Sequence, residues 1–358
     1  MLNQFKPSEN SKKLQIELYL NISQIYLFQN FAERAKNICK DAIKLCEINF
    51  SSFHPLLKKC YSFLGNLDFL QGNYLASSSD FEMAIDINKK ILQENHESFI
   101  ELYYDWATAC RKSEKYQEAL RIYYKVLKLF ESSKKINKTP SQIEEQKISI
   151  NSSIAKTNFD LNEFQHAIEF FEKVIELEFA AKRKINFSTI YEEYYTLAIC
   201  YNNIQDYNSA IERCHKIIEL CSKNMDLQHD KYIDSFILLG DIFSNLENFG
   251  EVVNYYEEAL KLLTKNNNKD IDKFFEVSGN LGLAYTNLKN FAEANKLISN
   301  TLNKYKSLYK KYENPVIFWL LNGIGIIYEA QQNFRSAIIT FEEGVIISEK
   351  YKFYKMLT

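Results

Sequence analysis

The residues of this 358-residue chain that could do chemistry are amides and carboxylates recurring at a fixed interval. Asn203, Asn245 and Asn287 lie 42 residues apart, and Glu192, Asp234 and Glu276 keep the same interval eleven residues ahead of them. Asp241 adds a fourth carboxylate, Thr196 and Asn280 share a further slot, and Trp319 takes the acidic slot one interval on. A row of amides can donate to and accept from a peptide backbone, and a row of acids draws a basic segment. A solvated helix face with asparagines serving the helix end would give the same pattern.

Groups that break bonds lack a working arrangement. The sequence has no Gly-rich phosphate loop, no Gly-x-Ser-x-Gly and no His-Glu-x-x-His. His54, His96, His166, His215 and His229 are scattered, and the seven cysteines form no Cys-x-x-Cys pair, so metal-ligand spacing is missing. Cys39, Cys110 and Cys214 fall at core slots and read as buried, reduced thiols. We therefore expect no enzyme, no cofactor and no metal.

A row at 42-residue spacing requires a chain that repeats itself. In and just ahead of the stretch Gly279 to Ala294, Ser278, Leu281, Gly282 and Tyr285 share one face of a first helix. Asn290 with Glu293 three residues on is a helix-start signal for a second, whose stripe is Phe291, Ala294, Leu297, Ile298 and Leu302. The small residue of the second helix recurs as Ala35, Ser77, Ala119, Ala167, Ala210, Val252, Ala294 and Ala337, at intervals of 42 or 43 with one of 48. An aromatic stands three residues ahead of it in every unit but the first, which has Ala32. The small residue of the first helix recurs as Ser23, Gly65, Ala107, Ala155, Ala198, Gly240, Gly282 and Gly325. A bulky side chain precedes each one, Ile22, Leu64 and Trp106 among them. These small residues mark where the paired helices cross most closely.

The order aliphatic, Gly or Ala, two residues, Tyr, then aromatic-x-x-Ala resembles the tetratricopeptide repeat. The long period is similar to that of kinesin light chain repeats and of Asn-rich groove-binding scaffolds. Asp68, Cys110 and Asn158 replace the expected Tyr in units two to four. The resemblance implies an all-α fold, a right-handed α-α superhelical solenoid of eight tetratricopeptide-type helical hairpins. It also implies a concave surface lined by first helices, where Glu192, Thr196, Asn203, Asp234, Asp241, Asn245, Glu276, Asn280, Asn287 and Trp319 would form a peptide-binding groove. The first-half groove is mixed in charge, with Lys59, Glu101, Asp105, Ser149 and Lys156. Chaperone-binding relatives clamp a carboxylate with Lys and Asn on successive first helices. Here Leu20, Gln24, Phe63, Glu101 and Asp105 occupy those places, so that clamp is missing. Kinesin light chains themselves carry a coil ahead of their repeats and basic groove residues, and this chain departs from both.

Hydrophobic content of 46% supplies enough apolar surface for sixteen packed helices. A net charge near -2 argues against nucleic acid, and no apolar stretch is long enough for a membrane span. The polar start MLNQFKPSENSKK has no signal core and points to the cytosol. We expect a disordered tail over 1–10 and a single solenoid over 11–355, with Tyr19, Ile22 and Tyr26 as the buried face of its first helix. An inserted loop at 131–142 would hold the six extra residues, and Thr264 to Asp270 would be a polar linker. The whole reads as a scaffold or adaptor for a protein partner, a basic amphipathic segment. The other reading is a structural component of a cytoskeletal or ciliary assembly, held through its convex face and uncapped ends, with self-association at the C-terminal end.

Overall fold

The computed structural model describes residues 8–93, 96–132, 139–181, 186–224, 230–265, 270–309 and 316–357. Sixteen helices, and no strand, occur among the described residues. They fall in two compact units, residues 1–185 and 186–358. In the first, α1 (Glu9–Phe28) pairs with α2 (Ala32–Asn49), α3 (Pro55–Leu70) with α4 (Tyr74–Ile91), α5 (Ser98–Lys112) with α6 (Tyr116–Ser132), and α7 (Pro140–Asp160) with α8 (Phe164–Ala180). In the second, α9 (Phe187–Asn203) pairs with α10 (Tyr207–Lys223) and α11 (Asp230–Asn245) with α12 (Phe249–Lys265). The pairs α13 (Ile271–Asn287) with α14 (Phe291–Leu308) and α15 (Val316–Ala330) with α16 (Phe334–Leu357) complete it. Within each unit the second helix of a hairpin also packs on the first helix of the next.

Each turn inside a hairpin is built the same way. Asn30, Gly72, Glu114, Asn162, Gln205, Glu247, Lys289 and Gln332 all have positive φ, and their spacing follows the repeat. The next residue returns its N–H to a carbonyl five back, as Phe31 does to Tyr26, Lys115 to Cys110 and Asn290 to Tyr285. That bond closes the first helix and satisfies a carbonyl that would otherwise be orphaned. Only Gly72 adopts this left-handed backbone without a Cβ penalty. Changing Gln205, Glu247 and Lys289 together to Gly is therefore expected to stabilise the second unit by about 2 kcal/mol, measured by urea unfolding.

Among the second helices, α10, α14 and α16 start on short polar caps, whereas α2, α4 and α8 have no side-chain cap bond. The side chains of Asn290, Asn333 and Asp206 accept from the backbone N–H three residues on. Pro55 and Pro140 each occupy the first turn of a helix, and Thr139 with Gln142 forms a reciprocal capping box. Of the expected loop, residues 133–138 lie outside the described residues, while 131–132 end α6 and 140–142 begin α7. Residues 1–7 of the expected tail lie outside as well, and α1 begins at Glu9, capped by Ser8. Of the expected linker, 266–269 lie outside, Thr264 belongs to α12 and Asp270 caps α13.

Helix crossings bring together pairs sixteen residues apart. A Cβ on Gly65 would meet the Phe81 ring at 3.1 Å, one on Gly240 the Tyr256 ring at 2.3 Å, and one on Gly325 the Phe341 ring at 2.3 Å. Where the first-helix residue is Ser23 or Ala198, the residue sixteen on is the small Cys39 or Cys214. Ala107 and Ala155, by contrast, have the large Tyr123 and Phe171 sixteen residues on, so the glycines mark the tightest crossings and not a fixed summed volume. All seven cysteines are buried and outside disulfides.

The substituted Tyr slots of units two to four hold buried polar groups with partners. Asp68 binds Lys36 and, at 3.2 Å, Asn73 Nδ2. Cys110 lies 3.3 Å from the Ser78 hydroxyl, which also accepts from Trp106. Asn158 donates to the Ile154 carbonyl at 2.9 Å.

One expected core face is different. On α1 the buried residues are Ile16, Leu20 and Ser23, whereas Ile22 is 41% exposed and Tyr19 and Tyr26 are only half-buried. The equivalent bulky residues Leu64, Trp106, Leu239 and Leu281 are buried, because a preceding hairpin covers them. No described helix precedes α1, so Leu14, Leu18, Ile22 and Ile25 form an open apolar stripe.

Candidate functional site

The second unit brings most of the repeated acids into one connected band on α9, α11 and α13. Lys231 stands at its middle. Its ammonium lies 3.5 Å from Glu192, 3.2 Å from Asp234 and 4.3 Å above the centre of the Tyr195 ring. Asp234 is buried, and its other oxygen takes the Lys273 ammonium at 2.8 Å. Lys273 in turn reaches Asp270 at 3.3 Å. Burial alone would depress the Lys273 ammonium, but the bonds and charges of Asp234 and Asp270 outweigh it and raise its pKa.

A second cluster adjoins this one. Tyr256, on α12, donates its hydroxyl to Asp241 at 2.5 Å. Burial raises the Asp241 carboxyl to about 6; the Tyr256 bond opposes the rise and the Glu276 charge adds to it. Burial, followed by the charges of Asp234, Cys214, Asp241 and Glu192, raises the Tyr195 phenol. The groups act on one another as one field.

The remaining positions divide by what they bond. Thr196 donates to the Glu192 carbonyl, Asn203 to that of Ile199 and Asn287 to that of Leu283, each four residues back on its own helix. Each asparagine bond uses one of the two amide N–H groups, and both residues are exposed. Asn245 and Glu276 are exposed on α11 and α13. Trp319 lies on α15, and its side chain is outside the described residues.

Lys231, Lys273, Tyr195 and Tyr256 were missing from the sequence-based groove. The two lysines were findable: each stands three residues before an acid of the row, and they too are 42 apart. One helical turn places such a pair side by side. The band is therefore an alternating ladder, two ammonium groups among the carboxylates, in which Asp234 is fully engaged and Glu192 and Glu276 face solvent.

Two family models, both described as tetratricopeptide repeat, match this chain, one over residues 61–132 and 190–265, the other over 16–49 and 148–180. Together they span more than half of it. No curated protein matches the sequence. Among solved structures, a signal transduction ATPase with a tetratricopeptide repeat sensor from Pyrococcus horikoshii is 14% identical, with a TM-score of 0.60 over 96% of this chain and 48% of that one. The C-terminal part of a repeat protein from Cytophaga hutchinsonii is 13% identical, with a TM-score of 0.57 over 79% of this chain and 94% of that one. Aspartyl phosphate phosphatase F from Bacillus subtilis is 13% identical, with a TM-score of 0.52 over 93% and 94%. These likenesses establish the fold alone. The matched segments, the sixteen helices in hairpins and the eight identical turns agree: the chain belongs to the tetratricopeptide repeat family.

Proposed function

We propose that the chain is a non-enzymatic adaptor whose second unit holds a basic amphipathic segment of a partner protein, across the groove formed by its first helices. The observation that carries this reading is the ladder from Glu192 through Lys231, Asp234 and Lys273, with the exposed Glu276 carboxylate beside it. Its two inner lysines are tied down, so the charge it offers outward is negative. Asn203, Asn245 and Asn287 add amide groups at the edge for a partner backbone. Recognition of this kind gives specificity and speed of encounter, and it weakens with salt.

The ladder also dictates the right variant. Asp234 is buried between two ammonium groups, so reversing its charge would disturb folding and binding together. Glu276 is exposed outside the ion pairs, and Glu192 is exposed but meets Lys231 at 3.5 Å, so its reversal is made with unfolding followed alongside binding. Against a basic amphipathic helical peptide followed by fluorescence anisotropy, Glu192→Lys/Glu276→Lys is expected to raise Kd by about tenfold or more, roughly 1.4 kcal/mol. An acidic peptide of the same apolar pattern should bind the variant better than the parent. Equal affinity of parent and double variant for the basic peptide, with helicity unchanged, rejects the reading.

A further inference from the structure

A cavity of about 220 Å³ opens in the first unit between α5 and α7. Glu101 and Asp105 stand on one wall, one helical turn apart, and Gln146 and Ser149 face them from α7. Ile100, Ile150 and Tyr104 complete the lining. Glu101, Asp105 and the Gln146 Oε1 are acceptors, while the Gln146 amide N–H groups and the Ser149 and Tyr104 hydroxyls are donors. Asp105 has no hydrogen-bonded or cationic partner among the described residues, and burial, reinforced by the Glu101 charge, raises its carboxyl to about 6. The Gln146 Oε1 is shut off from water and has no hydrogen-bond partner.

Several of the nearby hydroxyls are engaged elsewhere. The Tyr104 hydroxyl pairs with that of Ser153 at 3.2 Å, and Ser153 donates to the Ser149 carbonyl at 2.9 Å. Thr108 donates to the Tyr104 carbonyl at 2.8 Å. A half-buried carboxylate and an enclosed amide oxygen, both unmatched, favour a guest that donates. An ammonium ion has three donors and no acceptor, and a four-carbon stem suits the isoleucine walls. A bare metal ion would leave the apolar part of the volume empty.

We propose that this pocket takes the alkylammonium group of a lysine side chain, presented by a partner polypeptide. The site is separate from the ladder of the second unit, and its success or failure does not bear on that reading. Isothermal titration of the full chain tests it with three probes: the capped tripeptide Ala-Lys-Ala, its norleucine counterpart, and n-butylammonium. The lysine peptide should bind the parent protein, and the norleucine peptide should give no heat. Asp105→Asn and Gln146→Met should each weaken the lysine peptide by about tenfold or more. Glu192→Lys/Glu276→Lys should leave it unchanged. Circular dichroism confirms that each variant is folded. Equal affinity of parent and Asp105→Asn overturns the proposal, as does equal binding of the norleucine peptide. Binding of n-butylammonium without the tripeptide would make this a free-amine site and overturn the peptide assignment. Calcium binding at the same residues, with no response to the lysine peptide, would overturn it as well.

Discussion

Replacing Gly240 with alanine is expected to destabilise the second unit by about 2 kcal/mol, and replacing it with leucine by about 3 kcal/mol or more. A Cβ at this position would sit 2.3 Å, 2.5 Å and 2.8 Å from three atoms of the Tyr256 ring. The ring is closely held: Tyr256 is 2% exposed, and its hydroxyl is tied to Asp241. Alanine's better helix propensity opposes the loss by up to about 1 kcal/mol, which is why leucine gives the clearer reading. Gly279 on α13 is the control, because a Cβ there meets nothing within 4 Å and only the propensity gain remains. Gly279→Ala should therefore stabilise by about 1 kcal/mol. Gly282 lies between these cases, with the movable Ile298 Cδ1 at 3.0 Å as its nearest obstacle. Adding Tyr256→Leu to Gly240→Ala should recover part of the loss, and the double-mutant cycle isolates that coupling. If Gly240→Ala unfolded at the same urea concentration as the parent, the close crossing would be refuted.

Why the hairpins were legible, while several of their contacts were not, follows from what each signal measures. A small residue at a crossing is a demand of geometry, so it recurs at Ala35, Ala210, Ala294 and Ala337, all buried. The partner sixteen residues on from the small residue of the first helix varies among Cys, Tyr, Phe and Ile, so it leaves no one residue type to read. The left-handed turn was hidden for a related reason. Glycine marks it once, at Gly72, while Glu114, Gln205, Glu247, Lys289 and Gln332 carry the same conformation under side chains that do not advertise it. Ile22 carried the core pattern into the open because periodicity reports the face of a helix and not whether a neighbour covers it.

The acids of the band were visible as a row, yet their burial was not. Asp234 and Glu276 occupy the same repeat slot, but one is enclosed by Lys231 and Lys273 and the other faces solvent. Side-chain chemistry at equal spacing placed them on one face. What each group does there depends on neighbours from other helices, which no single-helix projection contains. The same limit concealed the cavity at Asp105, whose walls come from α5 and α7.

Three carboxyls held above their usual range give the chain a stability profile that falls as pH rises. Burial is the leading cause at each: Asp80 is raised to about 7, with Asp68 adding to the rise and Lys36 and Lys40 opposing it. Asp105 and Asp241 are raised to about 6 by burial, with Glu101 and Glu276 adding to it and the Tyr256 bond opposing it at Asp241. The unfolded chain releases these protons near 3.8, so between about 4 and about 7 the folded state binds more protons than the unfolded one. Their contribution is thus complete below about pH 4 and lost once pH passes the folded values. For Asp105 and Asp241, two pKa units each correspond to about 3 kcal/mol across the window. Asp80 is more open, and solvent screening reduces its share. Glu9 and Glu219, lowered by neighbouring lysines on the surface, run the other way and fade with salt. Urea unfolding in moderate salt should accordingly show the parent more stable at about pH 5 than at about pH 8. Asp105→Asn should flatten the dependence of the first unit and Asp241→Asn that of the second, each by raising stability at the alkaline end. Parallel profiles for parent and both variants would mean that these carboxyls are as well solvated folded as unfolded, and the buried acceptors at Asp105 would lose their claim on a cationic guest.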